Sequence, residues 1–372
     1  ALGMSERLEN PELPPGAIVE TFEDGGARRN DGVKLGAAKQ NPWYVLATVA
    51  GEQELAPLNV NLHFENRRFW NGWMCKGMKE DELAELAKKM GLPEAELAPL
   101  DAGEIEAIKV RFRDVFSEQL PEDVIPKPNE NANLRHLYFP NVFALGSFFF
   151  PKGATFRQAH FSEVIMAQKA HFNGFAAFEK AHFDSAVMFD FTHFENSGFF
   201  EKAHFDADAS FVRSYFGVVG DFFEARFAGE ADFTEALING AFILKNTRIA
   251  GYSKFPKAEF RALADFSDGC FKARTEFDGA VFKGAVPAFF HREMHQDTGF
   301  TDDAKLWPEV TADNAKDGKR AYTRLRQVAA EIYDPDLEHF FLRQEMRCKE
   351  ALAGRFETGL FVLYRKFADS GI

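Results

Sequence analysis

The sequence predicts an all-β repeat core between α-rich flanking segments, and three observations lead to this prediction. Phenylalanine is over-represented, with 43 residues in a chain of 372. From Phe139 to Ala288, a walk that steps alternately by six and five residues visits 28 positions, and 22 of them are phenylalanine. The chain's overall composition would place about three there. The residue two positions before each of these phenylalanines is usually small, so the walk marks an internal repeat.

The eleven-residue period of the walk does not fit a helical stripe. At about 100° per residue, steps of five and six point successive phenylalanines in widely separated directions around a helix. A large apolar residue that follows a small one by two positions, as Phe183 follows Ala181, is typical of a strand with one face inward. Phenylalanine also favours strands. The repeat units are therefore predicted to be short strands with a buried phenylalanine core.

The repeat resembles that of the pentapeptide-repeat family, whose unit carries a small residue two positions before a leucine or phenylalanine. The resemblance implies a right-handed quadrilateral β-helix in which each unit forms one side of a coil. This chain departs from the family pattern because alternate units contain one extra residue. Sides of five, six, five and six residues make a coil of 22 residues. About seven such coils are expected across residues 134–290.

Two segments precede the predicted β-helix. Residues 1–40 contain several prolines and glycines and are expected to be extended or poorly ordered. Residues 41–133 are expected to form a mixed α/β capping domain, because the open end of a β-helix exposes unpaired strand groups. The predicted elements of this domain are a strand over 41–51 and amphipathic helices over 80–90 and 101–116. Its tryptophans, Trp43, Trp70 and Trp73, are interpreted as the core of the cap rather than as a ligand pocket.

Residues 291–372 are predicted to be helical and to cap the second end of the β-helix or to form a homodimer contact. Apolar residues at helical spacing predict helices over 318–333 and 337–353. Asp336 is the predicted N-cap of the second helix. The pair His291–His295 lacks the glutamate that a zincin carries after its first histidine, and is interpreted as structural.

The distribution of charge and the number of cysteines argue against several classes of function. The formal net charge is −13, yet residues 134–290 contain 16 basic and 18 acidic side chains and are nearly neutral. Without a basic stripe, direct nucleic-acid binding is not expected. The three cysteines are sparse and far apart, which is typical of reduced thiols in a cytoplasmic protein: Cys75, Cys270 and Cys348. Because no catalytic or phosphate-binding motif is found, neither enzymatic activity nor a cofactor is predicted.

Five histidines recur at an eleven-residue spacing, each one position before an inward residue: His160, His171, His182, His193 and His204. With 22-residue coils, three stack on one side of the β-helix and two on another. Stacked imidazoles could bind Zn²⁺ or titrate together. However, the longer column continues as Arg226 and Arg248, which are not metal ligands. The histidines are therefore interpreted as a solvated face produced by repeat duplication, and no metal site is predicted.

Acidic residues follow the inward residues in the same coils and define a candidate acidic outer face: Glu179, Asp184, Asp190, Glu195, Glu201 and Asp206. Some members of the pentapeptide-repeat family act on DNA gyrase by mimicking the negative charge of DNA. That role requires a long field of one sign, and the near-neutral repeat argues against it. Glu179 with Lys180 and Glu201 with Lys202 are better interpreted as weak surface ion pairs.

The sequence favours a non-enzymatic scaffold that binds unidentified proteins by the outer faces of the β-helix. One alternative is a DNA-mimic modulator of DNA gyrase or another topoisomerase. A second is the cytoplasmic domain of a membrane-anchored assembly at the inner face of the membrane. It rests on Tyr322–Leu325 and Arg343–Met346, which resemble a region that leads into membrane segments in some family members. The apolar segment 359–367 is consistent with such membrane association.

Overall fold

The structure is a computed structural model that describes residues 14–54, 57–116 and 124–353. Most of these residues form a β-solenoid of about eight turns, whose four sides are parallel sheets. Helices α1–α4 precede the solenoid and helices α5 and α6 follow it. Their bounds are α1 Pro42–Ala47, α2 Val60–Met74, α3 Glu80–Met90, α4 Ala102–Phe116, α5 Ala315–Glu331 and α6 Pro335–Leu352. The predicted fold class, a four-sided repeat core between helical ends, is confirmed.

The strands are short and follow one another around the four sides. In chain order they are β1 Ile18–Thr21, β2 Ala27–Arg29, β3 Lys34–Ala37, β4 Ala132–Asn133, β5 Leu137–Phe139, β6 Phe143–Ala144, β7 Phe149–Phe150, β8 Ala154–Thr155, β9 His160–Phe161, β10 Ile165–Met166, β11 His171–Phe172, β12 Ala176–Ala177, β13 His182–Phe183, β14 Val187–Met188, β15 His193–Phe194, β16 Ser197–Phe199, β17 His204–Phe205, β18 Ala209–Ser210, β19 Tyr215–Phe216, β20 Val219–Asp221, β21 Arg226–Phe227, β22 Ala231–Asp232, β23 Leu237–Ile238, β24 Ala241–Ile243, β25 Arg248–Ile249, β26 Ser253–Lys254, β27 Glu259–Phe260, β28 Ala264–Asp265, β29 Cys270–Phe271, β30 Thr275–Phe277, β31 Val281–Phe282 and β32 Thr298–Phe300.

Every fourth solenoid strand belongs to the same sheet. Sheet 1 contains β5, β9, β13, β17, β21, β25 and β29, and sheet 2 runs from β6 through β10 to β30 and β32. Sheet 3 runs from β7 to β31, and sheet 4 from β4 to β28. Neighbouring strands pair residues that are 22 positions apart, as Phe183 pairs with Phe205 and Ile165 with Val187. The predicted coil length is therefore confirmed.

The inward phenylalanines stack from coil to coil. The rings of Phe183 and Phe205 lie 4.9 Å apart at 9°, and those of Phe205 and Phe227 lie 4.4 Å apart at 4°. Rings on opposite sides meet edge to face, as Phe200 beside sheet 4 meets Phe211 beside sheet 2 at 85°. Both arrangements suit the aromatic quadrupole. The stacked rings fill the interior, and the small residues two positions earlier leave room for them.

The five-residue units turn through a residue with positive φ that the sequence analysis did not predict. In the unit from Phe178 to Phe183, the amide of Ala181 donates to the carbonyl of Phe178 at 3.0 Å, and Lys180 has a φ of 58°. Residues with φ between 54° and 58° recur every eleven positions: His136, Ser147, Gln158, Lys169, Lys180, Phe191, Lys202, Arg213, Glu224, Glu235, Asn246, Lys257 and Asp268. Such a turn closes a corner in five residues, whereas the other corners use six. This difference explains the alternation.

The last coil departs from the predicted walk by one residue. Phe289, not Ala288, is the buried residue, and its ring stacks on Phe266 at 4.8 Å and 4°. Thr275 likewise pairs with Thr298, a separation of 23 residues. The extra residue lies between Phe282 and Phe289, so the prediction for Ala288 was wrong.

The N-terminal segment is part of the β structure. Strands β1, β2 and β3 form an antiparallel ribbon, and β3 then pairs in parallel with β5. Sheet 1 is thereby extended beyond the first coil, and one of its open edges is covered. The strand edge of the first coil is therefore paired on this side, and β1 becomes the outermost strand of sheet 1.

The segment predicted as a strand over 41–51 is instead helix α1. Asn41 accepts hydrogen bonds from the amides of Trp43 and Tyr44 on its side-chain oxygen, and Pro42 occupies the first helical position. Both features favour a helix start. The helices predicted over 80–90 and 101–116 are confirmed as α3 and α4.

Helix α2 covers the first coil with matched polar groups. Trp70 is fully buried, with its ring 4.9 Å from that of Phe150, and its indole nitrogen donates to the carbonyl of Phe149. The Asn71 amide donates to the carbonyl of Ser147 at 3.0 Å and accepts from the amide of Phe149 at 2.9 Å. The helix therefore satisfies backbone groups that a neighbouring strand would otherwise pair. The interpretation of Trp70 as core is consistent with this packing.

Arg292 closes the opposite end from inside the solenoid. Its side chain is 1% exposed, and its guanidinium donates to the carbonyls of Leu244, Thr247 and Phe266. Arg324 of α5 donates in turn to the carbonyls of Phe289 and Arg292, at 3.2 Å each. These contacts fasten α5 to the last coil.

Helices α5 and α6 pack against each other over the last coil. Tyr322 and Leu325 lie on the buried face of α5. The N-cap of α6 is Asp334, whose side chain accepts from the amide of Leu337, so the prediction of Asp336 was wrong by two residues. Within the described residues, no helix is both long and apolar enough to cross a membrane. The segment 359–367 lies outside the described residues.

Candidate functional site

The five histidines of the repeat form two separate columns. His160, His182 and His204 lie on sheet 1, and the rings of His160 and His182 are parallel, with centroids 4.9 Å apart and an angle of 2°. The rings of His182 and His204 lie 5.4 Å apart. His171 and His193 lie on sheet 3 with centroids 5.3 Å apart. The stacking within columns follows from the 22-residue register, as the sequence analysis predicted.

The interpretation of these histidines as a solvated face was wrong for three of them. His160, His171 and His182 are at most 2% exposed. The N-terminal segment lies over the sheet 1 column: a Cβ atom on Gly16 would be 2.6 Å from His182 Nδ1, and the Pro15 carbonyl lies 3.4 Å from His204 Nδ1. The sheet 1 histidines therefore form the surface on which this segment docks.

Carboxylates from the next coil hold the sheet 1 histidines in place. His160 Nε2 donates to Asp184 Oδ2 at 2.8 Å, and His182 Nε2 donates to Asp206 Oδ2 at 2.9 Å. His182 Nε2 also lies 3.3 Å from Asp184 Oδ1. The column is thus a chain of alternating imidazoles and carboxylates along the outside of sheet 1.

The two carboxylates make His182 the cationic member of this column. Burial opposes its protonation, but the hydrogen bonds to Asp184 and Asp206 outweigh burial and raise the pKa of His182 to about 9. Burial lowers the pKa of His160, and burial together with His182 lowers the pKa of His204. Burial also acts on Asp184, but its hydrogen bonds to His160 and His182 hold its pKa well below the usual range. At neutral pH the column therefore carries one imidazolium between two carboxylates.

The sheet 3 column is built around Glu195. His193 Nδ1 donates to Glu195 Oε1 at 3.2 Å, and the ammonium of Lys89 from α3 lies 2.7 Å from the same oxygen. The hydrogen bond from His193 and the contact with Lys89 lower the pKa of Glu195 to about 2. Burial lowers the pKa of His171 to about 4. This column therefore ties the α-helical cap to the side of the solenoid.

Two groups of these residues have ligand atoms within 4.8 Å of one another and could hold a metal ion: His160, His182 and Asp184, and His171, His193 and Glu195. Imidazole and carboxylate are suitable zinc ligands. In the first group, however, His182 is the protonated member, and a metal would have to displace its proton. In the second, the Lys89 ammonium already supplies a positive charge to Glu195. Hydrogen bonding accounts for both groups, and the absence of a metal site stays a prediction.

The six candidate acidic residues do not share one face. Glu179 and Glu201 lie at the turn between sheets 4 and 1, Asp184 and Asp206 between sheets 1 and 2, Asp190 between sheets 2 and 3, and Glu195 between sheets 3 and 4. Most have a cationic or hydrogen-bonding neighbour: Glu179 lies 2.6 Å from Arg157, and Glu201 lies 2.9 Å from Lys202. They are distributed around the solenoid and act mainly in local contacts.

The turn between sheets 3 and 4 forms a different surface, which the sequence analysis missed. Phe175, Val218 and Leu263 are 42%, 52% and 47% exposed there. We call these three residues and the uncharged turn residues between them the apolar ridge. Gly174 and Gly240 keep it flat, because a Cβ on either would lie 2.3 Å or less from a carbonyl oxygen of the preceding coil. The sequence does contain a signal for this surface. In each turn between sheets 3 and 4, from residue 174 to residue 285, the last two residues before the sheet 4 side are uncharged.

Replacement of His182 by glutamine should reduce stability most at low pH. The pKa of about 9 lies above the ordinary value of 6.5, so the charged His182 stabilises the fold fully below pH 6.5, and this stabilisation is lost as the pH rises through 9. Urea denaturation should show a gap between wild type and His182→Gln that shrinks by on the order of 2–3 kcal/mol between pH 6 and pH 10. The matched control is His291→Gln, at a side chain 84% exposed. A gap that is constant across this range would contradict the assignment.

Comparisons of this chain with protein-family models, with curated proteins and with solved structures find no match.

Proposed function

We propose that this protein is a non-enzymatic scaffold that binds a partner protein along the apolar ridge. The observation that carries the proposal is the exposure of Phe175, Val218 and Leu263 on one edge of a rigid solenoid. They span four coils, or about 19 Å at the spacing of neighbouring strands. An apolar surface of this kind, rimmed by polar residues, is typical of an interaction site.

Other outer surfaces are already used within the chain. The N-terminal segment covers the histidines of sheet 1, and Lys89 joins α3 to Glu195 beside sheet 3. Helical residues border the ridge at two places: Lys89 contacts Glu195 in the same column of turns, and Leu263 shares a cleft with Asp317 and Arg320 of α5. The partner surface is expected to be uncharged and apolar at its centre, because a charge buried against Val218 would lose its hydration without a counter-charge.

The resemblance of the repeat to the pentapeptide-repeat family supports a role in protein interaction, since repeat proteins commonly bind through extended outer surfaces. The dispersed positions of Glu179, Asp184, Asp190 and Glu195 give less support to DNA mimicry, which requires one continuous field. We expect the protein to act in the cytoplasm, because Cys75, Cys270 and Cys348 are free and buried.

The double variant Val218→Asp/Leu263→Asp tests this proposal. Ala228→Asp/Ala250→Asp is the matched control, since both alanines are exposed on the turn between sheets 1 and 2 and the charge change is the same. The full chain would be cross-linked in an extract of its native cells and the adducts identified by mass spectrometry. A protein that cross-links to wild type and control but not to the ridge variant is the expected result. Equal recovery with all three proteins, or with none of them, would refute the proposal.

A further inference from the structure

A second surface lies at the C-terminal end of the solenoid, beyond Leu263. A cleft of about 780 Å³ opens between α5 and the last coil. We call it the basic cleft, and its lining residues are Phe290, His291, Lys316, Lys319, Arg320, Thr323, Arg324, Gln327 and Leu352. The six residues from α5 recur at helical spacing and therefore lie on one face of that helix.

The cations of the basic cleft are only partly neutralised. Lys316, Lys319 and Arg320 are exposed, and no carboxylate within the described ranges lies within 4 Å of any of them. Arg324 is different, because it contacts Glu331 at 2.7 Å and two backbone carbonyls. Some cations of the solenoid pair directly with a carboxylate, as Arg213 does with Glu235 at 2.6 Å. Asp313 and Asp317 line the adjoining cleft together with Arg320, whereas the lining of the basic cleft itself contains no carboxylate among the described residues.

The fold does not account for this arrangement. The opposite face of α5 carries the packing contacts, with Tyr322, Leu325 and Val328 fully buried. Lys316 and Lys319 lie in the first turns of α5, which starts at Ala315. Cations there are disfavoured by the helix dipole and by each other, whereas an anion would be stabilised by both. Asp317 in the first turn offsets part of this repulsion, and an anionic ligand would offset more of it.

We infer that the basic cleft binds the phosphoryl groups of a multivalent phosphate ligand. Lysine ammonium groups and the guanidinium fork of Arg320 are preferred donors to phosphate oxygens. The cleft volume suits a small molecule or a headgroup. Phe290, over which the Arg320 guanidinium lies at 4.8 Å, and Leu352 supply an apolar wall for the organic part of the ligand. A soluble phosphate ester and a lipid headgroup both offer this chemistry.

Binding would be measured by calorimetric titration of the full chain with adenosine triphosphate and with inorganic pyrophosphate, and by flotation with phosphatidylcholine vesicles that contain phosphatidic acid. The test variant is Lys316→Gln/Lys319→Gln. The control is Arg226→Gln/Arg248→Gln, which removes two exposed cations from sheet 1. Thermal denaturation of each protein would establish that it is folded before binding is compared.

The expected result is binding that weakens at least tenfold in the cleft variant, is unchanged in the control, and weakens in wild type as salt rises. Binding of the soluble phosphates would identify a soluble ester as the source, and binding of vesicles alone would identify a headgroup. The inference is overturned if no phosphate probe binds, or if the cleft variant binds as tightly as wild type. It is also overturned if poly-glutamate binds and the phosphates do not, since the cleft would then favour an acidic peptide.

Discussion

Replacement of Phe205 by alanine is expected to lower the free energy of unfolding by about 3–5 kcal/mol. Phe205 is 1% exposed, and its ring is stacked between those of Phe183 and Phe227 at 4.9 and 4.4 Å. Truncation removes the stacking contacts on both sides of the ring and leaves a cavity. The neighbouring coils cannot move together to close it, because backbone hydrogen bonds set their spacing. Since each coil contacts only its neighbours, the loss should weaken the whole middle of the solenoid.

Chemical denaturation would measure this loss, with Arg226→Ala as the matched control. Arg226 lies one position before Phe227 on the same sheet and is exposed, so its truncation should change stability by less than about 0.5 kcal/mol. Phe205→Leu keeps most of the volume and should cost well under half as much as alanine. Similar losses for Phe205→Ala and Arg226→Ala would contradict the assignment of the phenylalanines to the interior.

Replacement of Arg292 by methionine should cost about 2–4 kcal/mol, although methionine fills a similar apolar volume. Arg292 donates to the carbonyls of Leu244, Thr247 and Phe266 at the end of the solenoid. The first two also accept from backbone amides, so the loss falls mainly on the Phe266 carbonyl, and a buried carbonyl left without a donor costs about 1–3 kcal/mol. Burial lowers the pKa of Arg292 to about 9. Replacement by methionine therefore relieves the free-energy cost of burying a charge, which offsets part of the lost stability. The carbonyl contacts and the position over the ring of Phe271, at 4.4 Å, outweigh that relief.

Arg292→Lys separates the geometry of the guanidinium from its charge. A lysine ammonium is a point donor and cannot reach three separate carbonyls, so this variant should lose nearly as much stability as Arg292→Met. Arg226→Met, at an exposed site, is the control for the substitution itself. The melting temperature of each variant would be compared with that of wild type. A neutral effect of Arg292→Met would show that the carbonyls find other partners.

The periodic part of the fold could be predicted from the sequence because a repeat multiplies a weak local signal. A single small residue two positions before a phenylalanine is weak evidence. The same pair recurs at Ala181 and Phe183 and at Ala203 and Phe205. The recurrence indicates which face of the strand is buried, and its spacing gives the coil length. The prediction failed at Ala288, where one inserted residue shifts the register to Phe289. No local pattern marks that insertion.

The surroundings of the histidines could not be predicted, because they depend on a contact between distant segments. His182 and Gly16 are 166 positions apart, and the position before an inward residue points outward whether or not another segment covers it. The sequence therefore placed the columns correctly and assigned their exposure wrongly. The same limit applies to Arg292, whose partners Leu244 and Thr247 lie two coils earlier.

The strand predicted over 41–51 was wrong because strand composition and a helix cap compete in the same segment. The apolar run after Pro42 has the composition of a strand. However, the Asn41 side chain accepts hydrogen bonds from two amides in the first turn of α1, and this cap stabilises a helix instead. The left-handed turn residues were missed for another reason. Lys180, Phe191 and Glu224 share a conformation and no chemistry, since the turn requires only a tolerated positive φ and leaves the side chain free to vary.

The coil length of 22 residues, on which the whole account depends, can be tested directly by disulfide formation. Ser210 and Asp232 are paired residues in neighbouring coils of sheet 2, so cysteines at these two positions should oxidise readily to a disulfide. Cysteines at Ser210 and Glu230 are the control, at the spacing of a coil built from four five-residue units. Rapid oxidation of the first pair and little of the second is the expected result. Preferential oxidation of the second pair would contradict it.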